Sequence, residues 1–249
     1  MGKLVKDIER WQKKAADRKE DGVFIVEGIK MFSELPKDRI LHIVKSESFA
    51  KEHPEISTGL TVFDNEFQKI SDTKTPQGIL AVARAIEKTA DEVLADSKGC
   101  FLILENIQDP GNLGTMFRSA EAAGISGLLI SENSVDPTNP KVIRATMGSF
   151  LRVPYAVIPD VRETVLKIQS RGGTCYAAHL KGAVDYDTPD YRGLSAFVIG
   201  NESKGLTEET TAACHTAVKI PMAGHVESLN AAMAATILMF EAKRARKNG

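Results

Sequence analysis

The sequence predicts an α/β protein of two units: a small mixed α/β layer system, then an open parallel sheet with helices on both faces. Three observations predict it. Short apolar strand signals alternate with helical segments along the chain, and from Phe101 onward the alternation becomes a regular strand-then-helix repeat. A charged, small-residue-rich stretch, Thr89 to Gly99, precedes that apolar onset and reads as a linker between residues 1–95 and 98–249. A length of 249 residues with 43% hydrophobic content suits one large domain or two modest ones.

Leu4, Ile8, Trp11 and Ala15 recur at helical spacing, so the chain opens on a helix. Lys3, Lys6, Arg10, Lys13, Lys14 and Lys19 fill its other faces, as a solvated surface or as one that meets phosphates. Strands are expected at Val23 to Val26, ending at Glu27-Gly28, and at Ile40 to Val44, Leu60 to Phe63 and Ile79 to Val82, with helices between them. In the second unit the strands are Phe101 to Glu105, Gly127 to Ser131, Tyr155 to Val157, Thr174 to Ala178, Ala196 to Gly200 and Ala217 to Ile220. Open parallel sheets bind ligands beyond the carboxyl ends of their strands, and the polar clusters of this chain fall at such ends.

Composition excludes several classes. No apolar run approaches the ~18 to 20 residues of a membrane span, and the N-terminus lacks a signal-peptide apolar segment, which points to the cytoplasm and to no membrane partner. Cys100, Cys175 and Cys214 lie far apart without a C-x-x-C pair, and the five histidines show no ligand spacing, so neither a metal nor a disulfide framework is indicated. A net charge of −1 gives no global attraction to nucleic acid, so RNA binding rests on local basic patches.

Three clusters carry candidate chemistry. The first is Asn106-Ile-Gln-Asp-Pro-Gly-Asn-Leu-Gly-Thr-Met-Phe-Arg118, where Asn112 reads as a natural N-cap of a helix ending at Gly124. Arg118 either pairs with Glu121 or projects toward a phosphate. The second, Gly200-Asn-Glu-Ser-Lys-Gly-Leu206, superficially resembles a P-loop, but Leu206 and Thr207 stand where that motif needs Lys and Ser/Thr, and no G-x-G-x-x-G occurs. ATP or GTP hydrolysis and an ordinary Rossmann site are therefore unsupported. The third is Ile220-Pro-Met-Ala-Gly-His-Val-Glu-Ser-Leu-Asn230, a strand end and glycine loop feeding a helix for which Ser228 stands at the N-cap position. From Ala231 to Phe240 that helix has almost no polar face, so it must be buried on several sides.

The order and spacing of these clusters closely resemble the three motifs of the SpoU/TrmH family of RNA ribose 2′-O-methyltransferases, within the SPOUT superfamily. Asn112 with Arg118 is similar to motif one, Gly200 through Leu206 to motif two, and Ile220-Pro-Met through Ser228-Leu-Asn230 to motif three. Asn139 through Ser149, with Arg152-Val-Pro154, is also family-like, and the front unit with Phe24-Ile-Val-Glu-Gly28 is similar to the small RNA-binding domain of many relatives. One departure is Ala231-Ala232, where relatives commonly show Val-Ser.

The resemblance implies a parallel-sheet SPOUT domain with a deep trefoil knot, S-adenosylmethionine (SAM) as cofactor, and an obligate homodimer. It implies Gly200, Asn201, Ile220, Met222 and Leu229 at the cofactor. It implies Arg118, Asn112, Glu202, Ser228 and Asn230 as catalytic residues, and Lys141, Arg144 and Arg152 at RNA phosphates unless they are solvated charges. The expected reaction is methylation of a ribose 2′-hydroxyl, with 23S ribosomal RNA the expected substrate. Transfer RNA, a non-catalytic knotted RNA-binding protein, and an enzyme of small-molecule nucleotides are the other readings.

Overall fold

The structure is a computed structural model that describes residues 2–180 and 184–247. The chain forms two compact units, one from 1–86 with 136–151, the other from 87–135 with 152–249.

In the first unit, helices α1 (Lys3–Lys13) and α2 (Ala15–Asp21) precede strand β1 (Val23–Glu27) and helix α3 (Ile29–Glu34). Then come β2 (Ile40–Ser46), α4 (Glu47–Glu52), β3 (Leu60–Val62), α5 (Asp64–Ile70) and β4 (Ile79–Arg84). The sheet order is β1-β4-β2-β3, antiparallel except for the β2/β3 pair. Val23 and Ile25 join Val5, Ile8, Trp11 and Phe67 in one core cluster, while Phe24, one residue out of phase, packs edge-on to Phe150 at 5.2 Å. Both faces of β1 are thus covered, which is why Val23 to Val26 are apolar without alternation.

The helix expected to run through Ala15 breaks at Lys14. In an unbroken helix the Trp11 carbonyl would accept from the Ala15 N–H; here it accepts from the guanidinium of Arg18, which is only 3% exposed. The same side chain pairs with Asp136 and donates to the Thr138 hydroxyl at 3.1 Å. Segment 136–151 therefore packs in the first unit, although the sequence places it with the second.

The second unit opens with the short helix α6 (Ala90–Val93), inside the stretch expected to be a linker. Thr89 and Glu92 form a reciprocal capping box, and Val93 and Leu94 enter the core, so this stretch is an element of the fold and not a tether. Strand β5 (Cys100–Leu104), helix α7 (Pro110–Ala123) and strand β6 (Gly127–Ser131) follow, with helix α8 (Pro140–Thr146) in the segment that joins the first unit. Then come β7 (Tyr155–Ile158), α9 (Val161–Ser170), β8 (Thr174–Ala178), the two-residue β9 (Val184–Asp185) that the sequence does not announce, and β10 (Ser195–Ile199). Helix α10 (Glu208–Ala213), strand β11 (Thr216–Lys219) and helix α11 (Ala231–Lys247) complete it.

The sheet order is β7-β6-β5-β10-β8-β11-β9, and every pair is parallel. Phe101, Ile103, Ala196 and Val198 face the cluster built on α6 and α9; Leu102, Leu104, Phe197 and Ile199 point to the opposite face, where α11 packs on β10 and α7. From β5 the chain builds outward through β6 and β7, then returns to lay β10 on the other side of β5. The carboxyl ends of β5 and β10 therefore flank the point where strand order reverses, the position at which open sheets leave a crevice.

Candidate active site

The carboxyl end of β5 delivers Glu105, 5% exposed. Its carboxylate accepts from the Thr207 N–H at 2.8 Å, the Thr207 hydroxyl at 3.0 Å and the Thr210 hydroxyl. A buried charge is tolerable only when so satisfied, and here it ties the loop after β10 to the end of β5. Asn106, at φ 58, turns the chain away, and its carbonyl accepts from the Asn201 amide at 2.8 Å. Asp109 then caps α7 by accepting from the Asn112 N–H at 2.7 Å, with Pro110 at the first helical turn. Asn112 is therefore not the N-cap; Asp109 takes that place because Pro110 has no N–H to lose there, and the Asn112 amide is released for other work.

The loop 200–207 closes on itself. Asn201 N–H donates to the Gly205 carbonyl at 3.1 Å and Gly205 N–H returns to Asn201 at 2.9 Å, while a Cβ on Gly200 would sit 2.2 Å from the Gly205 carbonyl carbon. Only glycine fits at 200. The turn holds Glu202 so that its carboxylate accepts from Gln108 N–H at 3.2 Å, Asp109 N–H at 3.1 Å and the Asn112 amide at 3.0 Å. Burial acts to raise the Glu202 pKa, but the hydrogen bonds from the Asn112 side chain and the backbone outweigh it and hold it below the ordinary carboxylate range.

The polarity of the amides follows from that charge. Asn112 presents Nδ2 to the carboxylate, which leaves its Oδ1 to accept from Asn230 Nδ2 at 2.9 Å. Asn230 Oδ1 in turn accepts from the Ala232 N–H at 2.9 Å and the Met233 N–H at 3.3 Å, and its carbonyl takes the Ala234 N–H. Asn230 is thus the cap of α11. Ser228, expected there, lies two residues too early, exposed in the loop. A continuous line of donors and acceptors runs from Glu202 through Asn112 and Asn230 into the α11 N-terminus, joining the three motif segments.

Gly200, Asn201, Glu202, Ile220, Met222, Ser228 and Leu229 line one cavity of about 400 Å³, with Ile199, Leu206 and Leu238 as apolar wall. Arg118, Asn112 and Asn230 stand outside that wall. Arg118 is exposed on α7 and makes no hydrogen bond or ion pair among the described residues. The Glu121 partner open to it is taken by Arg152, through Nε and through Nη2 at 3.1 Å. Arg152 is thereby engaged, and Arg144 pairs with Asp72 at 2.6 Å; Lys141 is exposed.

Residues 99–240 match the SpoU rRNA Methylase family, and residues 3–81 match the MRM3-like substrate binding domain. The chain belongs to the SpoU rRNA methylase family. Among SpoU-type relatives, it is 32% identical to the 23S rRNA (guanosine-2′-O-)-methyltransferase RlmB of Ralstonia nicotianae over 81% of this chain and 83% of that one. To the 23S rRNA (guanosine(2553)-2′-O)-methyltransferase RlmP of Bacillus subtilis it is 29% identical over 95% and 94%. The fold is similar to that of an AdoMet-bound rRNA methyltransferase from Sinorhizobium meliloti, with a TM-score of 0.85, 30% identity, and 98% and 95% of the chains covered. The SpoU methyltransferase AviRb of Streptomyces viridochromogenes superposes at a TM-score of 0.89 with 24% identity over the whole of both chains, a likeness of fold.

Within this SpoU site the sequence does not single out Glu105, Gln108, Asp109 or Thr207. The available signal was a charged residue closing a wholly apolar strand, since Glu at the end of Cys100–Leu104 must find partners if buried.

Proposed function

We propose that this chain transfers a methyl group from SAM to a ribose 2′-hydroxyl of RNA, with 23S ribosomal RNA as substrate. The observation that carries the reading is the line Glu202–Asn112–Asn230, which joins the three motif segments of a SpoU methylase beside a cavity lined by the second and third of them. The ribosomal relatives, and a front unit matching a substrate binding domain, support ribosomal RNA over transfer RNA.

The cavity fits the cofactor. Its volume falls in the range of small-molecule sites, ~300–1,000 Å³, and it combines aliphatic walls with backbone polar groups. Among the described residues, the N–H groups of 222–229 make no hydrogen bond within the chain, so they are available to a ligand's polar edges. Gly200, Asn201, Ile220, Met222 and Leu229 hold the cofactor in this reading. When bound, it supplies an electrophilic methyl group on a sulfonium sulfur.

The chain's own residues divide the remaining work. Glu202, Asn112 and Asn230 fix the loops, and Ser228, exposed at the cavity, positions the 2′-hydroxyl. Arg118, outside the cofactor wall and without a partner among the described residues, serves the RNA side: it grips the target phosphate and polarises the hydroxyl. A guanidinium stays protonated in proteins, so electrostatic positioning suits it better than proton abstraction. Lys141 adds a phosphate contact, with Arg144 and Arg152 contributing while held by their carboxylates.

The finer architecture belongs to the same proposal. Insertion of β10 between the earlier strands β5 and β8 supports a chain threaded as a trefoil knot. Helix α11 leaves Met233 61% and Phe240 43% exposed, which supports a homodimer covering this helix. Among the described residues no helix is long and apolar enough to cross a membrane, and a ribosomal substrate supports a cytoplasmic location.

Labelled SAM incubated with unmodified ribosomal RNA, followed by digestion to nucleosides, tests the reaction. A 2′-O-methylnucleoside is the expected product. Label on a base, or no SAM binding, would overturn the proposal.

A further inference from the structure

The first unit holds a separate cavity of about 310 Å³ where the end of β1, the loop 73–77 and the end of α8 meet; Lys30, Met31, Thr75, Gln77, Arg144 and Met147 are among its walls. We propose that it takes one unpaired base of the substrate RNA, a base that presents carbonyl acceptors, guanine or uracil. The proposal rests on the RNA methyltransferase reading and adds where the front unit reads its RNA.

Met147 is the first observation. It sits at φ 51 as the C-cap of α8, half exposed, and with Asn106 it is one of two non-glycine residues at positive φ among the described residues. Holding a side chain there costs about 1–2 kcal/mol, and the C-caps of α2 and α7 use Gly22 and Gly124 for the same conformation. The strained position puts an adaptable thioether in the wall of a cavity that the buried Met31 also lines.

The polar lining is the second. Glu27 is occupied: it accepts from the Ser71 hydroxyl, from the Thr73 hydroxyl at 2.9 Å and from the Asp72 N–H at 3.2 Å. Asp72 is occupied by Arg144. Gln77 Oε1 accepts from the Ile29 N–H at 2.9 Å, and its amide nitrogen has no partner among the described residues. The polar groups left open are therefore mainly donors, from Gln77, Arg144 and Lys30, with the Thr75 hydroxyl beside them. Open donors in a wall shared with two thioethers and with a guanidinium held by its ion pair match a base read by its acceptors and stacked on Arg. Exposed Lys74 and Lys141 adjoin these segments and suit the flanking phosphates. A lone phosphate would gain nothing from the methionines.

The test uses the full chain, a 23S ribosomal RNA transcript and the variant Met147→Gly, which suits the αL conformation and so preserves the fold. Expected are a roughly tenfold weaker RNA affinity, within the range for one lost base contact, an unchanged slope of affinity against salt, and unchanged SAM affinity. Transcripts carrying 4-thiouridine or 6-thioguanosine should crosslink to the peptides holding Gln77 or Met147. Unchanged RNA affinity, with methyl transfer intact, would overturn the base pocket and leave the enzyme reading standing. A salt slope reduced by about one, the mark of a lost phosphate contact, would overturn it in favour of phosphate. Wild-type protein that neither binds nor methylates RNA would overturn both.

Discussion

Asn112 Oδ1 accepts a hydrogen bond from Asn230 Nδ2 at 2.9 Å, across 118 residues of sequence. Each amide is oriented by what lies behind it, the Glu202 carboxylate for one and the α11 N-terminus for the other. The two residues should therefore act as a unit. Asn112→Ala and Asn230→Ala should each lower kcat, and the double variant should fall little below the worse single one, with a coupling of about 0.5–3 kcal/mol. Single-turnover methyl transfer measures the cycle, and strictly additive effects would separate the residues.

The two polar residues of the third loop should divide stability from chemistry. Asn230→Ala removes a helix cap and should cost about 1 kcal/mol of stability, whereas Ser228→Ala, exposed and uninvolved in capping, should stay within ~0.5 kcal/mol. Urea unfolding compares them. Ser228→Ala should nonetheless slow methyl transfer, and a stable, fully active variant would remove Ser228 from the site.

The central strands of this fold were legible because both of their faces are covered, so they appear as short apolar runs between turn residues. The motif segments were legible for the same reason: they are the polar stretches at strand ends. What local sequence did not disclose depends on contacts distant in the chain. The α1/α2 break needs Arg18 to take the Trp11 carbonyl, and the docking of 136–151 needs Asp136 to meet that same arginine. Thr89 to Gly99 is rich in small and charged residues, yet Val93 and Leu94 anchor it in the core. At the site, the caps were displaced by position, to Asp109 and to Asn230, because the side chain nearest the first free N–H groups wins. The Glu202–Asn112–Asn230 line was present in the motifs only as residue types.

Glu105 should matter without touching a ligand. Glu105→Gln keeps the shape but puts a donor where the Thr207 N–H and two hydroxyls also donate. A loss of about 1–3 kcal/mol follows from the unsatisfied groups, and the loosened loop should raise the SAM Kd more than it lowers kcat. Denaturant unfolding and SAM titration check both parts; wild-type values in each would contradict the clamp.

The pH dependence follows from Glu202. Its folded pKa lies below its unfolded value, so its bonds contribute fully above the ordinary carboxylate range and are lost as pH falls through the lowered value. Activity should accordingly show no inflection from this group between about pH 6 and 9, and Glu202→Gln should lower kcat by the same factor across that window. A defect that grows or vanishes with pH there would mean that Glu202 exchanges a proton in the reaction.

The most direct measurement compares wild type and Arg118→Ala in methyl transfer to unmodified 23S ribosomal RNA, mapped by 2′-O-sensitive primer extension, with SAM binding followed in parallel. The account predicts one new ribose-methylation stop for wild type, a loss of about 10²–10³-fold in kcat for the variant, and nearly equal SAM affinity for both. Equal loss of SAM binding and turnover would contradict the division between cofactor loops and an RNA-facing arginine, and no stop with wild type despite SAM binding would exclude this RNA as the substrate.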